Sequence, residues 1–502
     1  MCSLTKIEKL LEGCEQSHLL KFYNDLGDVE REQLLKQLGT IRFEEINKLY
    51  KDAQASLKGE VTKLDSKMKP IPADKFESEE SLNSDVIDEY RRIGLEAISN
   101  NQVAVVLMAG GQGTRLGVNY PKGMFSVGLP SGKTLFQVQA ERIQKLTKLA
   151  KQQTSKSGKI CWYIMTSGPT HITTVNYLKK NDYFGLNEDD VKLFQQGLLP
   201  CFDFEGKILL DEKHSVALAP DGNGGIYRAL RDNGILADMK KRGIKYVHVH
   251  SVDNILVKVA DPVFIGYCVS KKAHCGAKVV RKSGPSEAVG VVCQVDGSFQ
   301  VVEYSEITDK TANLRDVKGN LVFSAGNICN HFFSTEFLDQ IAEEYETQLK
   351  LHVAKKKIPY VNDKGEKIIP ITPNGIKIEK FVFDVFQFTD NFVTWEVPRS
   401  SEFSALKNAD SAGVDCASTS RRDLLRLHKS YIIDAGGRVD CDEVEISPLL
   451  SYAGEGLEKV KERVFNSKTV ILSDEEELLM NNNDYSKRDI NGLNIGLTQF
   501  GN

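Results

Sequence analysis

The sequence predicts an α/β fold: a central domain on a mainly parallel, mixed sheet, a helical N-terminal lobe and a small strand-rich C-terminal lobe. Three observations carry this. Leucines and isoleucines recur at helical spacing over the first hundred residues. Short apolar runs then alternate with helical patterns as far as about residue 400. Beyond that the pattern turns mixed, with short apolar runs. The lobes are read as 1–100, 101–400 and 401–502, in keeping with the roughly three domains that such a length suggests.

In the first lobe, Leu4, Ile7, Leu10 and Leu11 share one helix face, as do Leu34, Leu35 and Leu38. Glycine and proline are sparse until "MKPIPADKF", which reads as a linker or wrapping segment. The character changes at Val103. The runs "VAVVLMA", "ICWYIMT", "YVHVHSVDN", "AKVVRK", "VGVVCQV" and "FVFDVFQF" read as strands, and "TLFQVQAERIQKLTKLA" as an amphipathic helix between the first two. Strand, helix, strand implies parallel pairing with helices on the sheet faces. "VGVVCQVDGSFQVVEYS" reads as a hairpin turning at Asp296-Gly297. In the last lobe, "SRRDLLRLHKSYIIDA" starts helical and "TVILS" is strand-like. "SDEEEL" reads as a helix start with Ser473 as its N-cap.

Sixty-five basic residues face 69 acidic ones, for a net charge of -4. Nothing overall draws the chain to nucleic acid or to an anionic membrane, so anionic ligands need locally placed cations. The N-terminus has no signal-peptide core, and no run approaches the length of a membrane span. Ten cysteines are scattered from Cys2 to Cys441 without a CxxC pair, as reduced, structural thiols would be. The expected location is the cytoplasm.

The apolar run 103–109 suits a central parallel strand. Gly110, Gly111, Gly113 and Gly117 follow within eight residues. Such a turn lets backbone N–H groups approach an anion closely. Two familiar phosphate sites fail on spacing. A dinucleotide fingerprint starting at Gly111 would need glycine where Leu116 stands. A P-loop ending in "GKT" at 132–134 would need glycine where Val127 stands. "GKT" reads instead as a turn into the helix, with Thr134 near its start. What remains is a donor-rich loop with two fixed cations, the fork of Arg115 and the ammonium of Lys122, the second stiffened by Pro121. A nucleoside triphosphate requires such a cradle.

"LMAGGQGTRLG" followed by "YPKGM" resembles the signature of UTP-dependent sugar-1-phosphate uridylyltransferases, and more narrowly that of the animal-type UDP-N-acetylhexosamine (UDP-N-acetylglucosamine) pyrophosphorylases. "FQQGLLP", "APDGNGGIYRAL", "VVEYSEI", "FSAGNICNHFF", "PNGIKIEKFVFDVF" and "LKNADS" extend the likeness over about residues 90 to 460. It implies a Rossmann-like central domain and the conversion of UTP and N-acetylglucosamine 1-phosphate to UDP-N-acetylglucosamine and pyrophosphate. N-acetylgalactosamine 1-phosphate stays open as an acceptor, and so does a homodimer.

The resemblance also implies roles for residues. Met108, Ala109, Gly110 and Gly111 would contact the nucleotide, with Gly113, Thr114 and Arg115 around its phosphates and Lys122 on the α-phosphate. Gln196 and Gly222 would read uracil, since a Gln side chain and a backbone group can match its donor and acceptors. Asn223 would face the sugar. Asp253 would hold the nucleotide or the metal, Mg²⁺ with Mn²⁺ as the alternative. Glu303, Tyr304 and Asn327 would fix sugar hydroxyls and the N-acetyl group, and Lys377 and Lys407 would neutralise phosphates. Two other readings remain open here: a UDP-glucose or broad UDP-sugar pyrophosphorylase, and a regulator that binds UTP or a UDP-sugar without turnover.

Overall fold

The computed structural model describes residues 4–58 and 64–481; Cys2 and the last stretch of the C-terminal lobe lie outside them. The chain divides into two compact units, each assembled from separated stretches. One comprises 1–64, 196–229 and 342–385; the other comprises 65–195, 230–341 and 386–502.

The larger unit is built on an eleven-stranded sheet. Its main path runs Phe76–Ser78, Phe392–Val397, Cys275–Arg281, Ala325–Ser334, Tyr246–Ser251, Val103–Met108, Cys161–Thr166 and Val191–Gln195. All pairings along it are parallel except those of Ala325–Ser334, which runs opposite to both neighbours. Val103–Met108 is buried along its whole length between two parallel neighbours, as a continuous apolar run requires. Its carboxyl end, that of Tyr246–Ser251 and the start of the reversed strand fall on one sheet edge, where open α/β sheets bind ligands.

The helix Leu135–Thr154 begins where "GKT" ends, and the Thr134 side chain accepts from Gln137 N at 3.4 Å. The predicted hairpin is present, with Asp296 and Gly297 both at positive φ between Val291–Val295 and Ser298–Val302. In the C-terminal part, the helix Ala417–Asp434 packs with short strands around Ile432, Val444, Ile446, Val460 and Ile471. Ser473 caps Asp474–Asn481: its Oγ accepts from Glu476 N at 3.3 Å, and Glu476 Oε2 accepts from Ser473 N at 2.8 Å. No described helix is long and apolar enough to cross a membrane.

The smaller unit packs the helices Leu4–Gly13, Asp28–Leu38 and Phe43–Lys58 with an antiparallel sheet of Phe202–Asp203, Gly375–Glu379 and His352–Lys356. Ile7, Leu11, Leu34, Leu38, Phe43, Phe202, Ile376 and Ile378 form its core.

One expectation is corrected. "FVFDVFQF" is not a strand. Asp384 Oδ2 accepts from Phe381 N at 3.0 Å and turns the chain into a short 3₁₀ helix, Asp384–Phe388. Val382, Val385 and Phe386 are all fully buried, so the run carries no alternation. The strand comes later, at Phe392–Val397. Of the two readings of "MKPIPADKF", the wrapping segment is the one found: Met68–Lys69 pairs with the hairpin, and Phe76–Ser78 closes one end of the main sheet path beside Phe392–Val397.

Candidate functional site

In the larger unit the glycine-rich loop folds back on itself. Gly113 N donates to Tyr120 O at 3.0 Å and Lys122 N to Gly111 O at 3.1 Å. Thr114–Leu116 forms a single 3₁₀ turn closed by Gly117 at φ 82°, a conformation that favours glycine. Met108 and Ala109 are buried at the end of the strand, and Ala109 N donates to Met165 O at 2.8 Å. Ser167 Oγ donates to Gly110 O at 2.7 Å and anchors the loop to the neighbouring strand's exit. Thr114 and Arg115 are exposed on the turn.

Lys122 reaches back across this loop. Its Nζ donates to Leu406 O at 3.2 Å and lies 3.7 Å from Asp253 Oδ2. Asp253 stands just past the Tyr246–Ser251 strand, and its carbonyl accepts from Leu406 N at 2.8 Å. Asn254 ties the same two segments, donating to Glu402 O at 2.7 Å and accepting from Ser404 N at 3.0 Å. The exposed Lys407 follows, with its backbone N bonded to Asp415 O at 2.7 Å.

Asn327 lies near the start of the reversed strand. Its Oδ1 accepts from Cys329 N and His331 Nε2, each at 3.2 Å, and its backbone N donates to Gly290 O at 2.9 Å. The Glu303 side chain lies against Gly290, so that Glu303 and Asn327 adjoin the same glycine. Tyr304 is exposed beside Glu303. Cys329 links this group to the first: burial raises its thiol pKa, Asp253 raises it further and Lys407 lowers it.

The smaller unit holds the remaining four residues. Gln196 Nε2 donates to Gly222 O at 3.5 Å, and Asn223 Oδ1 accepts from Val382 N at 3.0 Å. Gly222 has φ 85°, and a Cβ there would lie 2.4 Å from Lys380 O. Lys377 is half-buried on Gly375–Glu379, opposite Ala354, and its charge acts on the Cys201 thiol.

Residue reasoning missed the Leu406 carbonyl that holds Lys122, Ser167 beneath Gly110, and Asp221. The first, a backbone group, carries no signal in sequence, whereas Ser167 shows only as the N-cap of the helix Gly168–Lys180. Asp221 had a signal, since it stands in "APDGNGG" directly before Gly222.

Among the described residues no three His, Cys, Asp or Glu side chains cluster as a metal cage. Asp253 offers a single half-buried carboxylate. That donor suits a hard ion which keeps its waters and takes phosphate oxygens, and not one which needs a closed nitrogen or sulfur shell.

A sequence model of the UTP–glucose-1-phosphate uridylyltransferase family matches residues 43–462. A UDP-N-acetylhexosamine pyrophosphorylase-like protein 1 from Xenopus tropicalis is 50% identical over 469 residues, which cover 89% of this chain and 92% of that protein. A UDP-N-acetylglucosamine pyrophosphorylase from Saccharomyces cerevisiae is 41% identical over 479 residues, covering 93% and 100%. Among solved structures, the uridine diphosphate N-acetylglucosamine pyrophosphorylase from Trypanosoma brucei superposes with a TM-score of 0.81 at 30% identity, covering 95% of this chain and 100% of that one.

Proposed function

This chain belongs to the UTP–glucose-1-phosphate uridylyltransferase family, and from that premise we propose that it converts UTP and N-acetylglucosamine 1-phosphate to UDP-N-acetylglucosamine and pyrophosphate. N-acetylgalactosamine 1-phosphate is a second acceptor in this reading. The names of its relatives support the sugar class. The observation that carries the chemistry is the placing of Lys122 Nζ between Leu406 O and Asp253 at the end of the glycine-rich loop.

The acceptor phosphate is already an anion, so its oxygen attacks the α-phosphorus of UTP in line without a general base. The bond from that phosphorus to the bridging oxygen breaks, and pyrophosphate leaves with the electron pair. Catalysis then reduces to aligning two anions and neutralising charge. The loop's backbone N–H groups and Arg115 take the phosphates. Lys122, held by a carbonyl and a carboxylate, needs little reorganisation to meet charge developing on the α-phosphate. Gln196, Gly222, Asn223, Glu303, Tyr304, Asn327, Lys377 and Lys407 keep the roles that the resemblance implies. Asp253 would hold Mg²⁺, with Mn²⁺ as a substitute, and the bound ion would spread the charge of the phosphate oxygens.

The test is pyrophosphate release from the purified protein with UTP and Mg²⁺, using the 1-phosphates of N-acetylglucosamine, N-acetylgalactosamine and glucose in parallel. Release with the two N-acetylhexosamines is expected. Release with glucose 1-phosphate alone would overturn the sugar assignment, and UTP binding without any release would overturn catalysis.

A further inference from the structure

Asp221 is 6% exposed, and its Oδ1 is buried without a hydrogen-bond partner. Two glycines make room for it. A Cβ at Gly197 would lie 2.5 Å from Asp221 Oδ2, and one at Gly225 would lie 2.0 Å from Oδ1. The backbone is pinned on both sides: Asp221 N donates to Gly197 O at 3.2 Å, and Asp221 O accepts from Lys380 N at 2.8 Å.

The charged groups facing this carboxylate are Lys380 and Glu346. Lys380 Nζ donates to Glu346 Oε1 at 2.5 Å, and Arg228 donates to the other Glu346 oxygen at 2.6 Å. The Lys380 ammonium is therefore engaged by Glu346. The remaining polar neighbour of Asp221 is Gln196, whose side chain lies near enough to help hold the carboxyl down. The Gln196 Nε2 also faces Gly222 O at 3.5 Å.

Both groups around that end of the Gln196 amide are acceptors, a carbonyl and a carboxylate. The NH₂ end must face them, because turning the amide over would set Oε1 against two acceptors. Oε1 is thus the atom left for a ligand.

We infer that Asp221 is a specificity-determining positioning residue: by accepting from Gln196 it presents Gln196 Oε1 to the nucleobase and selects a base with an N–H at ring position 3, uracil over cytosine. The inference rests on the reading of Gln196 as a base contact. Uracil N3–H donates to that oxygen. Cytosine carries a lone pair at N3, so two acceptors would oppose each other and stay unpaired.

Asp221→Asn replaces one acceptor oxygen with a donor amide of nearly the same volume. That amide can donate to Gln196 Oε1 and lets the Gln196 amide turn its NH₂ toward the base. The expected result is a fall of about tenfold or more in the ratio of kcat/KM for UTP to kcat/KM for CTP, with the value for CTP itself rising. A merely structural role would lower both alike, so equal losses or an unchanged ratio would overturn the inference. Wild-type protein inactive with UTP would instead overturn the uridylyltransferase reading, leaving the two failures distinct.

Where thermal unfolding shows that the variant does not fold, the wild type decides. Burial pushes the Asp221 carboxyl up to about 6, against the pull of Lys380. Between about pH 7.5 and about pH 5.5 it gains a proton and can donate to Gln196. The UTP/CTP ratio should then fall severalfold, since the titration of the triphosphate is common to both nucleotides and cancels. A constant ratio across that range would overturn the inference.

Discussion

Lys122 Nζ lies 3.7 Å from Asp253 Oδ2, and both residues stand on loops that leave neighbouring parallel strands. The register Met108↔Ser251 and the bond from Val252 N to Met108 O at 3.2 Å align the two exits. The Lys122 side chain is 17% exposed and that of Asp253 22%, so the pair is shielded yet open to a ligand. A cation and a metal-competent carboxylate are thus set side by side by aligned strand exits together with the loop bond from Lys122 N to Gly111 O.

Lys122→Ala should lower kcat by roughly 10²-fold or more, the loss seen when one preorganised donor to a developing charge is removed. The change in KM for UTP should be smaller, because Arg115 and the loop backbone still bind the triphosphate. Steady-state pyrophosphate release reads both quantities. A near-wild-type kcat would remove Lys122 from the chemistry.

Asp253→Asn should raise the Mg²⁺ concentration for half-maximal activity by at least about tenfold, the loss typical of even an outer-shell partner. It should also lower kcat, because the amide no longer balances Lys122. The check is a Mg²⁺ titration at saturating UTP and sugar phosphate, with chelator as the zero point. An unchanged Mg²⁺ requirement would place the ion elsewhere.

Much of the local architecture was legible because it is set by neighbours in sequence. The apolar strand at 103, the Asp296-Gly297 turn and the caps at Thr134 and Ser473 are each fixed by a few adjacent residues. "FVFDVFQF" misled because burial on every side erases the alternation that separates strand from turn. Phe76–Ser78 escaped because a three-residue edge strand beside two prolines is too short to show a period. Nothing along the chain announces that 1–64, 196–229 and 342–385 condense together, since that grouping rests on long-range packing. The glycine loop and its two cations were readable from spacing, whereas the Leu406 carbonyl that positions Lys122 is a backbone group without a side-chain signature.

Acid should destabilise the fold through buried neutral histidines. Burial depresses His250 to about 4, and His331 and His428 to about 3. In the unfolded chain these rings take up protons at about pH 6.5. Below that pH the unfolded state binds more protons than the native state, so stability falls as pH falls, by up to about 1.4 kcal/mol per pH unit for each ring. Above about pH 6.5 the effect vanishes. Thermal unfolding against pH should show the midpoint dropping below that value. His428→Gln should flatten part of the drop, since a Gln carbonyl can still accept from Ile446 N as His428 Nδ1 does at 3.0 Å.

A buried ion cluster surrounds Lys278. Lys278 Nζ lies 2.6 Å from Asp261 Oδ2 and 3.1 Å from Glu402 Oε2, and Lys258 Nζ lies 3.0 Å from Glu402 Oε1. The Lys278 and Glu402 side chains are 0% exposed and that of Asp261 is 3%. Burial disfavours each charge, yet the partners win: Lys278 is raised and Asp261 lowered from their ordinary ranges. Asp261 also caps the helix Pro262–Ser270 by accepting from Val263 N at 3.0 Å. Lys278→Met should therefore cost about 3–5 kcal/mol, because it leaves Asp261 charged, buried and short of its cation. Adding Asp261→Asn should restore part of that loss, since the amide is neutral and its oxygen still caps the helix. The double variant is thus expected to melt above the Lys278→Met single variant. A double variant melting lower, by the sum of two independent losses, would mean that the cost lies in lost packing and not in a stranded charge.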